Sequence, residues 1–196
     1  MLPFASRSGV SIHPVDALFT STSSVCVTGL VVVDTLDHWS FFGQAVILFL
    51  IQAGGFGYMT ITTLFLLALG RRIGLKERLL IGESIGRVGD VRRLLRNLFI
   101  FTVAAELVGA TVLYAQFSQD FPRFEAVWTS VFQSVSSFNN AGFDVMGGFQ
   151  SLVSYQNNPL VMLTTAVLVI LGGISFLVLE DVLRKRRPRR IPQRKE

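Results

Sequence analysis

The fold of this chain is decided by a stretch that occurs twice, as Ser23-Ser-Val-Cys-Val-Thr-Gly-Leu30 and as Ser136-Ser-Phe-Asn-Asn-Ala-Gly-Phe143. Each copy follows a short segment that opens with an acidic residue, Asp16-Ala-Leu-Phe-Thr-Ser21 or Glu125-Ala-Val-Trp-Thr-Ser130. The openings match at an offset of 109 and the glycine-containing ends at 113, so the second copy is longer in its middle. Repetition at a fixed spacing indicates a duplicated structural unit.

Each copy leads into an apolar stretch that carries a pair of glycines, Gly54-Gly55 or Gly172-Gly173. A short helix, an irregular segment containing glycine and then an apolar helix form the arrangement of a re-entrant pore loop. Irregular backbone at membrane depth is tolerated only where protein buries it or where it lines a water-filled cavity. The sequence therefore predicts two re-entrant pore loops, over residues 15–30 and 125–143.

The composition indicates an integral membrane protein, because 51% of the residues are hydrophobic and only 16% are charged. Three stretches, residues 41–69, 98–117 and 160–183, reach the length of about 20 residues that crosses a bilayer. The first would measure about 44 Å as one straight helix, so it must tilt, break or run past the membrane, and Gly54–Gly57 is the natural position for a break. The predicted fold is all-α, with about three transmembrane helices and two pore loops.

The net charge of +5 is concentrated in two segments. Eight of the 18 Lys and Arg residues lie within residues 71–96, and eight more lie within residues 184–195. Cationic loops stay on the cytoplasmic side of a membrane, so both segments are predicted to be cytoplasmic and both pore loops to face outward. Anionic lipid headgroups, and not nucleic acid, are the partners that this placement favours.

Backbone carbonyls are the candidate ligands in each loop. Successive carbonyls replace the water shell of a cation when the chain turns them inward, and glycine permits the left-handed backbone that this needs. The C-terminal end of a short helix carries a partial negative charge that also favours a cation. The candidate ion-binding residues are Val27, Thr28, Gly29, Asn140, Ala141 and Gly142. An ordinary surface turn is the alternative for the second copy, but the repetition argues against it.

Other polar or small residues allow two interpretations each. Glu106 lies in the middle of a predicted span, where an ionisable group is costly. Its role is either structural, through a hydrogen bond to the back of a pore helix or as a protonated side chain, or it binds the ion directly; we favour the structural role. Gly54, Gly55, Gly172 and Gly173 either break their helices or allow close packing. Cys26, the only cysteine, is either a reactive pore thiol or a small filler. No grouping of a nucleophile, a base or metal ligands is apparent, so we expect no enzyme activity.

The chain resembles the Trk/Ktr/HKT superfamily of cation transporters, and specifically its TrkH/KtrB-like pore subunits. The two glycine-containing loops carry the resemblance, together with the segment Gln52-Ala-Gly-Gly-Phe-Gly57 and the basic stretch Gly70-Arg-Arg-Ile-Gly-Leu-Lys-Glu-Arg-Leu-Leu80. The resemblance covers residues 15 to about 187. It implies helix–pore loop–helix repeats around one pore, a homodimer in the plasma membrane, and a cytoplasmic nucleotide-binding regulatory subunit on the basic face.

Four such repeats surround the pore in that family, whereas this sequence supplies fewer. We divide it into an incomplete first repeat (1–69), a cytoplasmic linker (70–93) predicted to form an interfacial helical hairpin, a complete second repeat (94–183) and a basic tail (184–196). It is expected either to be part of a longer transporter or to assemble from copies.

The resemblance implies potassium transport without covalent chemistry or a cofactor, since glycine at both loop positions favours K⁺. A sodium-permeable transporter and a non-conducting half-subunit remain the alternatives.

Overall fold

A computed structural model describes residues 3–9, 12–70 and 88–174, with the side chains of residues 58–70 and 88–95 left out. The described residues form α-helices and two short 3₁₀ turns, and no strand occurs among them: α1 (Pro14–Val25), α2 (Thr35–His38), α3 (Phe41–Gly70), α4 (Val88–Asp120), α5 (Arg123–Phe138), α6 (Pro159–Gly173), and the 3₁₀ turns Pro3–Ala5 and Val153–Tyr155. The prediction of an all-α chain is therefore confirmed.

The two short helices, α1 and α5, begin in the same way. Pro14 occupies the first turn of α1, where the fixed φ of proline suits a helix and its missing N–H costs nothing, and α5 follows directly after Pro122. Each first turn contains one acidic residue, Asp16 or Glu125, which complements the positive end of the helix dipole. Local signals in the sequence thus suffice to start both helices.

The third helix does not break at its glycines. α3 runs continuously from Phe41 to Gly70, through Gly54, Gly55 and Gly57, so of the alternatives for these glycines the structure does not contain the break. Each glycine costs a helix only about 1 kcal/mol relative to alanine. An interrupted helix would leave backbone groups without partners in an apolar setting, which costs several times more.

Helix α4 begins earlier than predicted, at Val88, and ends at Asp120. Its part Arg96–Asp120 is the one helical segment among the described residues that is long and apolar enough to cross a membrane. Two shorter apolar segments are Phe41–Gly57, which is the part of α3 whose side chains are described, and Pro159–Gly173. Residues 71–87 of the predicted hairpin, residues 175–183 of the third predicted span and the basic tail lie outside the described residues.

The helices pack into two units that share α5. Helix α4 packs against α5 and α6, while α1 packs against α3. One core cluster joins α3, α5 and the segment after α5, and contains Trp39, Ile47, Ile51, Phe132, Val135, Ala141, Phe143 and Val145. A second cluster joins α4, α5 and α6 through Leu113, Phe117, Ala126 and Val161. In the first cluster, Trp128 of α5 donates its indole N–H to the side chain of Gln44 of α3 at 2.7 Å.

Candidate functional site

The first loop leaves α1 through a Schellman motif. The N–H of Val27 donates to the carbonyl of Ser24 at 3.3 Å, and the N–H of Thr28 donates to the carbonyl of Ser23 at 3.0 Å. These two bonds satisfy carbonyls that the end of a helix leaves without partners. They also hold Val27 in the left-handed region, at φ 56°, which is unfavourable for a β-branched residue.

The second loop leaves α5 through the same motif. The backbone N–H of Asn140 donates to the carbonyl of Ser137 at 3.1 Å, and the backbone N–H of Ala141 donates to the carbonyl of Ser136 at 2.8 Å. Asn140 has φ 58°, a conformation that asparagine tolerates well. Each of these residues lies 113 positions after its counterpart in the first loop, so the offset found in the sequence is repeated in the backbone hydrogen bonds.

The first serine of each copy ties the helix end to the far end of its loop. Ser23 Oγ accepts the N–H of Leu30 at 2.9 Å, and Ser136 Oγ donates to the carbonyl of Phe143. The bonds run in opposite directions but close loops of the same length. A serine hydroxyl can accept a hydrogen bond, as in the first loop, or donate one, as in the second, because it is both donor and acceptor.

The two loops meet at their glycines. Gly29 has φ +72° and Gly142 has φ +74°, the left-handed region that glycine adopts without steric cost. A β-carbon on Gly29 would lie 2.6 Å from the carbonyl oxygen of Ala141, and one on Gly142 would lie 3.4 Å from the Cα of Gly29. Glycine is therefore needed at position 29 both for its conformation and for the close approach of the second loop.

The ends of α1 and α5 share a cavity of about 710 Å³ with α3 and α6. Its walls are Val25, Cys26, Val27, Ala53, Gly54, Gly57, Asn139, Asn140, Gly172 and Gly173. Both short helices thus end at the same cavity, where their partial negative charges add. Among the described residues, no group of three or more His, Cys, Asp or Glu side chains could hold a metal ion.

Of the six candidate ligands, the structure brings Gly29, Ala141 and Gly142 into direct proximity and places Val27 and Asn140 on the cavity wall. Thr28 is exposed, and its hydroxyl hydrogen-bonds that of Ser23 at 2.9 Å. Ligation of an ion by these carbonyls stays a prediction.

Gly54 and Gly172, two of the four predicted packing glycines, allow α3 and α6 to pack closely against the last residues of α1 and α5. A β-carbon on Gly54 would overlap the carbonyl of Val25, and one on Gly172 would overlap the carbonyl of Phe138. A β-carbon on Gly55 would overlap the side-chain oxygen of Asn139. At Gly173, by contrast, a β-carbon would meet nothing within 4 Å in the part of the chain that the structure describes.

Glu106 lies behind the second loop and is buried. Its Oε1 accepts the side-chain N–H of Asn139 at 3.0 Å, and its backbone carbonyl accepts the hydroxyl of Ser134 at 2.7 Å. Because Ser134 belongs to α5 and Asn139 caps it, Glu106 hydrogen-bonds the back of the second short helix. A structural role for Glu106 was expected from the sequence, but its partner Asn139 was not.

Two aspartates that the sequence analysis did not single out join the two repeats. Asp34 is buried and accepts the N–H of Phe149 at 2.7 Å, while Asp37 accepts the N–H of Gly148 at 3.1 Å. Asp34 also caps α2 through the N–H groups of residues 36 and 37. The N-cap signal was visible in the sequence, but the partners more than 100 residues away were not.

Sequence comparison relates the chain to cation transport proteins. The TrkH family model, described as a cation transport protein, matches residues 3–196. The chain is 40% identical over 192 residues to the potassium/sodium uptake protein NtpJ of Enterococcus hirae, covering 97% of this chain and 42% of that protein. It is 42% identical over 189 residues to the Ktr system potassium uptake protein B of Bacillus subtilis, covering 95% and 42%.

The protein of the same name from Vibrio alginolyticus is 40% identical over 185 residues, covering 93% of this chain and 40% of that protein. The chain thus spans about two fifths of the length of these relatives. The family consists of membrane transporters that work without a cofactor and not of enzymes, which confirms the expectation of no enzyme activity. From its sequence match and its helical membrane character, the chain belongs to the TrkH family of cation transport proteins.

Proposed function

We propose that the chain supplies two pore loops of a potassium pathway across the cell membrane. The observation that carries this proposal is the contact between Gly29 and Gly142. Two loops with the same backbone hydrogen bonds meet there, each at the C-terminal end of a short helix. This is the arrangement that a filter of backbone carbonyls needs.

In the proposed pathway, K⁺ loses water against the carbonyls of Val27, Thr28 and Gly29 from the first loop and of Asn140, Ala141 and Gly142 from the second. The ends of α1 and α5 add a negative potential in the cavity beside them. The membrane potential drives the ion with about 2.3 kcal/mol per charge per 100 mV. No group has to change its covalent state.

The proposal includes the topology and the partners that the sequence predicts. The basic linker and the tail lie on the cytoplasmic side, among anionic lipids, and the segments that precede α1 and α5 lie outside. The chain works within a homodimer and with a cytoplasmic nucleotide-binding regulatory subunit. The names of the Ktr relatives support the potassium pathway itself, since they describe proteins of a potassium uptake system.

Uptake of K⁺ in cells that lack their own K⁺ uptake systems tests the proposal. We expect K⁺ uptake that Gly29→Ser abolishes, since a side chain there overlaps the second loop. We expect Gly142→Ser to raise Na⁺ uptake relative to K⁺. Val108→Ser is the control, because Val108 is exposed on α4 and does not line the cavity beside the two loops. An unchanged K⁺/Na⁺ ratio in Gly142→Ser would count against these loops as the filter.

Sodium transport is the second candidate function, because one relative is named a potassium/sodium uptake protein. Uptake of labelled Na⁺ at increasing K⁺ distinguishes the two. Strong competition by K⁺ favours a potassium filter, and independent Na⁺ uptake favours the alternative. Correct membrane insertion with no flux of either ion, but altered flux on co-expression with a complete transporter, would indicate a non-conducting half-subunit.

A further inference from the structure

The two loops share the same backbone hydrogen bonds, but the side chains that contact them from behind differ. Cys26 and Asn139 are the C-cap residues of α1 and α5 and occupy equivalent positions in the repeat. Cys26 is exposed at the cavity. Asn139 is buried, and its side-chain amide donates to Glu106 Oε1 at 3.0 Å and to the carbonyl of Val135 at 2.9 Å.

A third helix joins this arrangement through Gln52 of α3. The side-chain Oε1 of Gln52 accepts the side-chain N–H of Asn139 at 3.4 Å. Gln52, Glu106 and Asn139 therefore form one polar cluster that connects α3, α4 and the end of α5. We call these three side chains the cap cluster.

The surroundings of Asn139 leave its side chain little freedom. Its Oδ1 lies against Gly55 of α3, where a β-carbon would overlap it, and both amide hydrogens have acceptors. Buried polar groups that are fully hydrogen-bonded make their neighbourhood rigid, whereas removal of one partner leaves a costly unsatisfied group. The backbone that continues from Asn139 carries residues 140–142.

We infer that Glu106 is a positioning residue for the second loop: together with Gln52 it fixes Asn139, and Asn139 fixes the carbonyls of residues 140–142. This inference rests on the proposed function for its consequence in transport, but its structural part can be tested without transport. The first loop, whose cap residue is Cys26, does not depend on the cluster.

Hydrogen exchange of the purified chain in lipid nanodiscs tests the structural part. The amides of Asn140 and Ala141 close the Schellman motif after α5, so their exchange reports on the loop. In Glu106→Leu we expect these amides to exchange about ten- to a hundredfold faster, as for a buried donor left without its partner. The amides of Val27 and Thr28 should keep their rates.

Two further variants separate positioning from folding. Glu106→Gln keeps an oxygen that accepts from Asn139, and it should restore slow exchange. Leu107→Ala, on the exposed side of the same helix, should change nothing. If Glu106→Leu does not fold, Asn139→Ala is measured instead and should show the same local acceleration. Faster exchange in both loops, in neither loop, or equally in Glu106→Gln overturns the inference.

Transport gives the second readout. In K⁺ and Na⁺ uptake, Glu106→Leu should lower the K⁺/Na⁺ ratio and raise KM for K⁺, whereas Glu106→Gln should keep both at wild-type values. A fall in maximal rate alone, at constant KM and ratio, would show that Glu106 acts only on the amount of folded protein. If the wild-type chain shows no uptake, the proposed function fails, and the exchange rates still decide whether Glu106 positions the loop.

Discussion

The carbonyl oxygen of Phe138, the last residue of α5, lies against Gly172 of α6 with no room for a β-carbon between them. Val25, the last residue of α1, lies against Gly54 of α3 in the same way. In each repeat, one glycine of the following apolar helix therefore sets how closely that helix approaches the end of the short helix. The glycine pairs visible in the sequence are packing positions in this structure.

Alanine substitutions at the second pair should have unequal effects. Gly172→Ala should destabilise the chain by about 1–3 kcal/mol or more, because the new methyl group overlaps the backbone of α5. Gly173→Ala should be neutral or slightly stabilising, because a β-carbon there has space among the described residues and alanine favours a helix. Thermal unfolding in detergent measures both. Equal loss of stability in the two variants would contradict the packing of α6 on Phe138.

Cys26 is a natural probe of the cavity. It is exposed and lines the cavity below the two loops, so a small charged thiol reagent should modify it in the folded chain and reduce K⁺ uptake. Cys26→Ala should be resistant to the reagent, since the sequence contains no other cysteine. Mass spectrometry gives the extent of labelling. Complete labelling with undiminished uptake would place the ion pathway elsewhere.

Asp34 should contribute more to the stability of the fold than Asp37, although each accepts one backbone hydrogen bond from residues 148–149. Asp34→Asn can still cap α2 with its remaining oxygen, but its amide cannot accept from Phe149. We expect a loss of about 1–3 kcal/mol, as for a buried donor left without a partner. Asp37→Asn, at an exposed position, should lose less than about 1 kcal/mol. Chemical unfolding compares them, and a larger effect at Asp37 would contradict this assignment.

Because of the raised pKa of Tyr155, we expect the free energy of unfolding to fall in alkaline solution. Burial, followed by the hydrogen bond and the negative charge of Asp120, raises its pKa from 10.0 to about 12. Because the folded state favours the neutral phenol, this contribution is complete below pH 10 and is lost as the pH rises through 12.

Tyr155→Phe supplies the comparison for this prediction. This variant lacks the hydrogen bond to Asp120 and has no phenol that can titrate. The wild-type chain should therefore be the more stable of the two at pH 9. The difference between the two should shrink from pH 10 to 12. Other alkaline titrations occur in both chains and cancel. A constant difference across this range would show that the phenol does not titrate with folding.

Local signals predicted the features that depend on neighbouring residues. The acids at positions 16 and 125 indicated helix starts, and both helices lie there. Glycine at positions 29 and 142 indicated a left-handed backbone, and both have positive φ. These features follow from the conformational preferences of a few adjacent residues, which a single sequence displays directly.

Features that depend on distant partners were not predictable in the same way. The left-handed conformation of Val27 opposes its own preference and is imposed by the hydrogen bonds to Ser23 and Ser24. The pairing of Glu106 with Asn139 joins residues 33 positions apart. Continuity of α3 through its glycines depends on the packing of the loops against them. Each of these requires knowledge of which elements meet in space.

The repeated Schellman motif has a consequence for how the two halves of this chain could diverge. A site built from carbonyl oxygens uses an atom that every residue type possesses, so mutation of most side chains leaves its chemistry intact. Val27 and Asn140, or Thr28 and Ala141, can therefore differ while their backbones share the same hydrogen bonds. After duplication of an ancestral gene, selection would retain the glycines and serines of such loops, and neighbouring positions such as 26 and 139 would be free to acquire separate roles.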